Sequence, residues 1–370
     1  MSITDTLFKQ LSFIPIDAEL LFTIVVLIPG LVIFLLMTLN AMIAVYLERK
    51  VSAFMQDRLG PMEVGIFGFK GGKKFWGGIG QTIADAIKLL VKEDIIPRDA
   101  DRGLMILAPF IIFIGAFLTF IGVPFSEGII ISDFNIGIFY VIAVSSVGVI
   151  GIILAGWSSN NKWSLYGAMR SAAQIISYEL PIGLTLLLAV MVAGSLQVND
   201  IVQWQADNRW FIFHSPFAFI AFFIYFVSGV AETNRVPFDI PEAESELVAG
   251  WMTEYSGFRW AIFFLSEYAN MLIISIIASL VFLGGWLSPF KIFNLPYIDI
   301  IPNSWFLLDG PIIGLFWMFL KVALLIFVMM WFRWTFPRLR VDQLMYLCWK
   351  VFIPFALANV LFVSIWELIF

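Results

Sequence analysis

Long apolar runs separated by short polar connections make up most of this chain. A helix needs about 20 apolar residues to cross the hydrocarbon core of a bilayer. Eight segments meet that requirement: 20–46, 103–124, 136–157, 174–194, 211–231, 260–286, 311–334 and 350–370. The sequence shows neither strand-like alternation nor internal repeats, so it favours a helical bundle over a barrel. We therefore expect an all-α polytopic membrane protein of about eight transmembrane helices, forming a single domain over residues 1–370.

One polar connection carries a helix of a different kind. Residues 81–93, QTIADAIKLLVKE, place Ile83, Ile87, Leu90 and Val91 on one helical face and charged residues on another. An amphipathic helix of this kind lies either in the membrane interface or against a partner protein. The sequence leaves both possibilities open.

The basic residues are distributed unevenly between the two sides of the predicted bundle. Of the 22 Lys and Arg residues, 18 fall in the first, third, fifth and seventh connections or at the span ends that border them. The opposite side has only Lys9, Arg209 and Lys291, and Lys321 lies inside a span. Because positively charged connections stay in the cytoplasm, we predict that the odd-numbered connections are cytoplasmic and that both termini are periplasmic.

The composition excludes several classes of function. With 61% apolar and 13% charged residues, the chain is too apolar for a water-soluble enzyme. Its one His and one Cys, His214 and Cys348, cannot by themselves ligate an iron–sulfur cluster, a bis-His haem or a structural zinc. The net charge of −5 argues against binding of nucleic acid. We therefore expect that this chain alone binds neither a metal nor a redox cofactor.

The densest acidic stretch runs from Ala231 to Glu267 and holds seven of the 27 acidic residues. Glu242 and Glu244 fit equally well at a solvated helix start, where the helix dipole favours negative charge. That explanation fails for Glu267, which lies seven residues beyond Trp260, or about 10 Å along a helix. Because an ionisable group at such depth in a membrane is by default functional, we expect a functional role for Glu267.

Two more ionisable residues fall within the predicted spans. Glu179 precedes Pro181 in the fourth span, and Lys321 lies near the middle of the seventh. Lys321 is too deep to reach an interface without difficulty, so we expect it to have a carboxylate partner. Carboxylates and an ammonium group at membrane depth are the components of a proton relay.

Three further polar segments belong to the predicted cytoplasmic side. LERKVSAFMQDRLGP follows the first span, WSSNNKWSLYGAMRSAAQ leads into the fourth, and FRWTFPRLRVDQLMYLCWK joins the last two. The first of them also fits an ordinary basic flank with loose ion pairs. Together with the acidic stretch, their convergence on one side predicts a shared vestibule or a docking surface.

Five segments together resemble one family of membrane proteins, the H subunits of bacterial NADH-quinone oxidoreductase, respiratory complex I, whose mitochondrial members are NADH dehydrogenase subunit 1. They are LERK with QDRLGP, QTIADAIKLLVKED, WSSNNKWSLYGAMRSAAQIISYELP, AETNRVPFDIPEAESELVAGWMTEYSGF and RWTFPRLRVDQLMYLCWK. The resemblance runs from residue 40 or so to residue 355 in the family's order and spacing. It does not include residues 1–19, the second connection or residues 285–310.

The resemblance implies a membrane subunit that anchors a peripheral redox arm and couples quinone reduction to proton translocation. Quinone is then a substrate, FMN and iron–sulfur clusters belong to partner subunits, and the protein lies among lipids in a bacterial inner membrane. The residues implied to shape the quinone chamber are Glu48, Arg49, Asp57, Arg58 and Arg340. Those implied to carry protons or charge into the bilayer are Asp85, Glu179, Glu232, Arg235, Glu242, Glu244, Glu246 and Glu267, with Lys321 as a further relay candidate.

Two other functions compete with this interpretation. A homologous membrane anchor of a hydrogenase-type complex would share several of these segments, although the complete set favours the quinone-reducing complex. A stand-alone ion transporter would also use buried Glu and Lys, but it typically has inverted repeats or broken helices at matching positions. The sequence pattern indicates neither of those features.

Overall fold

The structure is a computed structural model that describes residue 4 and residues 18–65, 77–240, 244–289 and 310–369; for residues 18–22 and 244–245 it describes the backbone alone. The α-helices in these ranges are α1 (Ala18–Met55), α2 (Gly80–Val91), α3 (Arg102–Thr119), α4 (Gly137–Ser145), α5 (Val147–Ser158), α6 (Lys162–Ala193), α7 (Val198–Asp207), α8 (Pro216–Glu232), α9 (Glu244–Leu247), α10 (Gly257–Phe282), α11 (Pro311–Thr335), α12 (Val341–Tyr346) and α13 (Ile353–Ile369). Three-residue 3-10 turns lie at Phe120–Gly122, Phe211–Phe213 and Gly250–Met252, and a π-helical turn at Leu347–Phe352 joins α12 to α13.

Seven segments of the described chain are helices long and apolar enough to cross a membrane, and α8 is a shorter apolar helix. The described ranges contain helices but no β-strand. These findings confirm the predicted all-α polytopic membrane protein. The amphipathic segment predicted at 81–93 is also a helix, α2.

The first span extends well beyond its predicted end. We expect a helix over 20–46, whereas α1 continues through Glu48, Arg49 and Lys50 to Met55. Long unbranched side chains such as Glu, Arg and Lys are good helix formers, so polarity alone does not stop the helix. The consequence is that Glu48 is carried on a rigid helix and is buried.

The third span, predicted over 136–157, is present over Gly137–Ser158, but its helix is interrupted at Ser146. α4 ends at Ser145 and α5 begins at Val147. The hydroxyl groups of Ser145 and Ser146 each donate a hydrogen bond to the carbonyl oxygen of Ile142, at 2.9 Å. Because such bonds from Ser to the preceding turn bend helices, a local sequence feature accounts for the break.

Two spans start earlier than their apolar runs. α6 begins at Lys162, where the Asn161 side chain caps the helix by accepting a hydrogen bond from Trp163 N at 3.0 Å. The apolar run predicts a start only at residue 174. The last span begins at α12 and passes through the π-helical turn, instead of starting at residue 350.

Helix α10 lies at the centre of the bundle. In its most apolar 18-residue stretch 72% of the residues are buried, against 28% for the first span and 17% for the last. α10 packs on α1, α3, α8 and α11. The polar residues near its start are therefore within reach of several other helices.

Candidate functional site

Five residues from four parts of the chain form a compact group, which we call the central ion cluster: Glu48, Arg235, Glu267, Tyr268 and Arg333. The Glu48 carboxylate accepts hydrogen bonds from the Tyr268 hydroxyl at 2.5 Å and from Arg235 at 3.0 and 3.2 Å. Arg333 donates to the same carboxylate. The cluster thereby links α1, α10 and α11 to the connection that follows α8.

Arg235 is the buried cation of the cluster. Its Nε atom lies 2.7 Å from Oε1 of Glu267, and its guanidinium group lies 4.4 Å from the centre of the Tyr268 ring. Burial alone would lower the pKa of Arg235, but Glu267, Tyr268 and Glu48 together hold that pKa well above its usual value. With two carboxylates and two guanidinium groups, the cluster is balanced in charge.

The connection that carries Arg235 is held in place from α6. The Gln174 amide donates hydrogen bonds to the carbonyl oxygens of Ala231 at 2.7 Å and Phe238 at 2.8 Å, on either side of Arg235. It also donates to the side chain of Asn234 at 3.2 Å. Because the side chain joins both ends of the turn, Gln174 fixes the position from which Arg235 points into the bundle.

A second ion pair lies beside the central ion cluster. Arg338 Nη2 is 2.9 Å from Oδ2 of Asp239. Burial raises the pKa of Asp239, and the nearby guanidinium groups of Arg338, Arg333 and Arg235 oppose that shift without cancelling it. Asp239 is therefore a carboxylate whose charge is held by its neighbours in an environment that disfavours it.

Three further ion pairs tie the cytoplasmic elements together. Arg49 of α1 lies 2.6 Å from Asp85 of α2, and Arg170 of α6 lies 2.8 Å from Glu246. Arg259, near the start of α10, pairs with Asp94 beyond α2 at 2.5 Å. All six residues are at least partly exposed, so these pairs organise a surface and do not extend the buried cluster.

The residues implied to form a quinone chamber do not form one contiguous group. Glu48 points into the central ion cluster, while Arg49 points outward to α2. Asp57 and Arg58 are exposed just beyond the end of α1, where Arg58 Nε donates to Gln56 Oε1 at 2.8 Å. Arg340 is exposed at the start of α12 and lies close to the Arg338 pair in sequence.

The acidic residues implied to carry charge are also divided. Glu267 joins the central ion cluster, whereas Glu246 and Asp85 form the outer ion pairs. Glu179 faces an apolar groove of about 580 Å³ between α4, α6 and Trp349. One of its buried carboxylate oxygens, Oε1, has no hydrogen-bond partner among the described residues. The structure therefore joins only part of this set directly.

The other members of the acidic set lie outside the central ion cluster or cannot be placed. Glu232 is partly buried at the end of α8, three residues before Arg235. Glu242 lies outside the described residues, and only the backbone of Glu244 is described. We therefore make no statement on the contacts of those two side chains.

Among the described residues, Lys321 has backbone carbonyl groups for partners and no carboxylate. In the described chain its Nζ atom donates three hydrogen bonds, to the carbonyl oxygens of Leu283 at 2.7 Å, Gly285 at 2.8 Å and Leu287 at 2.7 Å. Its ammonium group also lies 4.1 Å from the centre of the Trp210 ring. In the described part of the chain, carbonyl groups just beyond the end of α10 take the place of the expected carboxylate.

Sequence reasoning leaves two members of the central ion cluster without a role. Tyr268 directly follows Glu267, and Arg333 stands in a basic segment whose other members carry the same charge. The sequence does mark Arg333 as a charged residue of interest, because it lies on the same predicted helix as Lys321, twelve residues further on. The sequence carries no comparable signal for the hydroxyl group of Tyr268.

The apolar face of α2 is not covered by the rest of the described chain. Ile87 is 55% exposed, Leu90 63% and Val91 80%. On another face, Asp85 pairs with Arg49. The helix is therefore attached to this chain by its polar side and presents its apolar side outward.

Metal binding is not indicated in the described ranges, where no group of three or more His, Cys, Asp or Glu residues could hold an ion. His214 instead pairs with Glu367 at 2.5 Å, which links the start of α8 to the end of α13. It lies two residues before the start of α8.

Comparison with known proteins adds one family model and three relatives. A family model described as NADH dehydrogenase matches residues 28–364. The H subunit of NADH-quinone oxidoreductase from Chlorobaculum tepidum is 52% identical over 326 residues, covering 87% of this chain and 86% of the relative. The proteins of the same name from Bacteroides thetaiotaomicron and Phocaeicola vulgatus are 48% and 45% identical, covering 90% and 96% of this chain and 88% and 93% of those relatives.

Proposed function

Because the chain belongs to the NADH dehydrogenase family of membrane subunits, we propose that its central ion cluster couples quinone reduction to proton translocation. The protein is a multi-pass membrane subunit of an NADH-quinone oxidoreductase, and so a subunit of an enzyme. The observation that carries the proposal is that Glu48 accepts bonds from residues on three other parts of the chain. A change of charge on one residue of such a cluster alters the electrostatic potential at every other residue in it.

The chemistry of quinone reduction suits this arrangement. Reduction by two electrons takes up two protons, and a product that is briefly anionic would perturb the protonation of nearby carboxylates. Electrons would come from FMN and iron–sulfur clusters in partner subunits of the peripheral arm. The residues of this chain would bind the head group, stabilise negative charge and accept or release protons.

We place the quinone chamber at the cytoplasmic end of α1. Arg49 and Arg58 supply positive charge there, and Asp57 and Arg340 lie on the same side. Glu48 lies between this surface and the buried cluster. The exposed apolar face of α2 suits a boundary with lipid or a partner through which an isoprenoid tail could pass.

The proposed route for charge leaves the cluster toward the membrane interior. Glu267 and Arg235 begin it, and Glu232 and Glu179 would continue it along α8 and α6. Asp85, Glu242, Glu244 and Glu246 would form its cytoplasmic side. The unpartnered carboxylate oxygen of Glu179 is the kind of group that such a route needs.

We further propose a bacterial inner-membrane location with both termini on the periplasmic side. The uneven distribution of Lys and Arg supports this orientation. The names of the relatives favour the NADH-quinone complex over a hydrogenase-type anchor. They likewise favour membership of a complex over a stand-alone transporter.

Substitution of the acidic and basic residues tests the proposal. We expect Glu267→Gln and Glu246→Gln to reduce NADH-driven quinone reduction and proton pumping about tenfold or more, the scale of losing one charged hydrogen bond. Electron transfer from NADH to an artificial acceptor on the peripheral arm should stay unchanged. Arg49→Ala should raise the Michaelis constant for quinone.

Glu127→Gln is a suitable control, because Glu127 is exposed in the second connection, away from the cluster. All variants should be compared as assembled complexes in membrane vesicles, with subunit content measured on native gels. Unchanged quinone reduction in the Glu267→Gln variant would remove the proposed role of the cluster. The same result in the Glu246→Gln variant would remove Glu246 from the proposed route for charge. Unchanged quinone kinetics in an assembled Arg49→Ala complex would remove Arg49 from the chamber.

A further inference from the structure

Three backbone carbonyl oxygens and an aromatic ring surround the amino group of Lys321. An ammonium group has three N–H donors and no acceptor, and Lys321 uses one donor for each of three carbonyl oxygens at 2.7–2.8 Å. A neutral amine would have two donors and would direct a lone pair at one of these oxygens. The face of the Trp210 ring, 4.1 Å away, also favours a cation. The three acceptors and the ring face therefore match the three donors and the charge of an ammonium group.

The three carbonyl groups belong to the segment that directly follows α10. This segment lies at the C-terminal end of the helix, where the helix dipole favours a positive charge. α10 ends at Phe282, and Gly284 and Gly285 follow with φ values of +71° and +52°. Lys321 therefore satisfies carbonyl groups just beyond the final turn of α10 from the neighbouring helix α11.

Gln205 of α7 completes this cap from the other side. Its amide group donates to the Leu280 carbonyl oxygen at 2.8 Å, and its Oε1 atom accepts from Gly284 N at 3.0 Å and Phe211 N at 3.1 Å. One charged and one neutral side chain thus hold the same turn. Their shared target indicates that the position of this turn is fixed by several independent contacts.

The cap and the central ion cluster connect α10 and α11 at two levels. Along α10, Glu267 and Leu283 are sixteen residues apart, or about 24 Å at 1.5 Å per residue. Along α11, Arg333 and Lys321 are twelve residues apart, or about 18 Å. Arg333 reaches α10 through Glu48 and Tyr268, whereas Lys321 reaches it directly. A shift of α10 along its axis would have to break both connections.

We propose that Lys321 is a positioning residue, a clamp that sets the height of α10 against α11 and so holds Glu267 and Tyr268 in the central ion cluster. It acts through the backbone of α10 and does not transfer protons. The functional part of this inference rests on the proposed role of the cluster, whereas the clamp itself can be tested without it. The absence of any carboxylate or His partner among the described residues fits a clamp better than a relay.

Lys321→Arg separates a clamp from a relay. An arginine keeps the charge and donates to carbonyl groups, but it does not release its proton in proteins. We expect an assembled Lys321→Arg complex to keep the number of protons pumped per NADH oxidised. An assembled complex with normal quinone reduction and no pumping would make Lys321 a relay and would overturn the proposal.

Hydrogen exchange tests the clamp itself, even where arginine is too large for the site. In the assembled complex, Lys321→Met and Gln205→Leu should each speed exchange of the backbone amides between 279 and 287 about tenfold or more, since each removes hydrogen bonds to this turn. Exchange in α13 serves as an internal reference. Asn208→Leu is the matched control for Gln205→Leu, because Asn208 bonds only within its own turn.

The Lys321→Met and Gln205→Leu variants also distinguish the clamp from the proposed function of the cluster. Gln205 carries no titratable group. If Lys321 were a proton relay, the Gln205→Leu complex would pump protons like the wild type. If Lys321 is a clamp, both variants should lose quinone reduction to the same extent. Faster exchange without any loss of quinone reduction would support the clamp and contradict the proposed role of the cluster. Unchanged exchange between 279 and 287 in both variants would overturn the clamp.

Discussion

At the residue scale, the direction of a side chain decides its partners more than its position along the chain does. Consecutive side chains of an α-helix point about 100° apart. Glu48 therefore faces the interior of the bundle and Arg49 faces α2, although they are neighbours. The same geometry places Glu267 and Tyr268 on different partners within one cluster. The charge of each residue is evident from the sequence, but its partner depends on the packing of helices far away along the chain.

Replacing Asp239 tests whether burial is the cause of its raised pKa. Its pKa is raised by burial above the usual 3.8, so the folded protein binds this proton more tightly than the unfolded chain. The ionised carboxylate then costs folding free energy at neutral pH, and this cost disappears as the pH falls below the raised pKa. We expect Asp239→Asn to raise the midpoint of thermal unfolding at pH 7.5, with a gain that shrinks toward pH 4.

The measurement is the midpoint of thermal unfolding of the purified complex across that pH range. Each value is compared with that of the wild type at the same pH. Asp207→Asn, an exposed substitution at the end of α7, controls for the change in net charge. A gain that grows as the pH falls would contradict burial as the dominant influence on Asp239.

Residues inside the membrane show how far the sequence can predict a site. The depth of Glu267 and Lys321 is evident from their apolar surroundings, and both are indeed held by close polar contacts. The partner of Lys321 is not predictable in the same way, because a backbone carbonyl group carries no signature in the sequence. Arg235 has a clear charge, but its burial depends on Gln174, which holds its connection from a different helix.

At the scale of elements, close helix contacts depend on small residues at particular positions. A Cβ atom added to Gly167 of α6 would lie 2.6 Å from Gly250 Cα and 2.8 Å from Trp251 N. The 3-10 turn at Gly250–Met252 therefore packs directly on the α6 backbone. This contact holds the acidic connection against the helix that carries Gln174 and Arg170.

We expect Gly167→Ala to destabilise the assembled complex by about 1–3 kcal/mol, the usual cost of overpacking a close contact. Gly183→Ala on the same helix is the control, since an added Cβ atom there meets nothing within 4 Å. The checks are the thermal midpoint and the fraction of assembled complex on native gels. Equal stability of the two variants would show that the turn can move away from α6 at little cost.

Apolar runs predict where helices exist more reliably than where they end. The run that predicts 311–334 matches α11 within one residue because Pro311 and the polar segment after Thr335 mark both ends. α1 and α6 extend past their apolar runs because their polar residues are still helix formers. The interruption at Ser146 arises from hydroxyl groups that could equally have pointed elsewhere.

At the scale of the whole molecule, burial and charge divide the protein into a centre and two faces. α10 is enclosed, whereas the first and last spans expose most of their apolar residues. These outer helices provide the surface available to lipid and to the partner subunits of the complex. The ion pairs of the described chain lie chiefly at one end of the bundle, where most basic residues are also found.

Labelling of introduced cysteines tests the orientation that the charges predict. Glu63 is exposed in the first connection and Glu127 in the second, while the natural Cys348 is buried and should stay silent. We expect a membrane-impermeant maleimide to label Glu127→Cys in intact cells and Glu63→Cys only in inside-out vesicles. The reverse pattern would invert the proposed topology and place the central ion cluster near the periplasm.

The central ion cluster also sets an order for biogenesis. Glu48 is separated from Arg235 by 187 residues and from Arg333 by 285, which correspond to about 10–40 s and 15–60 s of translation at 5–20 residues per second. During that interval its carboxylate has to be satisfied by water, by a proton or by the insertion machinery. A chain that ends between Phe282 and Arg333 holds two carboxylates of the cluster and only one guanidinium group. It therefore exposes an uncompensated negative charge to membrane quality control. During normal synthesis this charge is balanced once translation passes the end of α11.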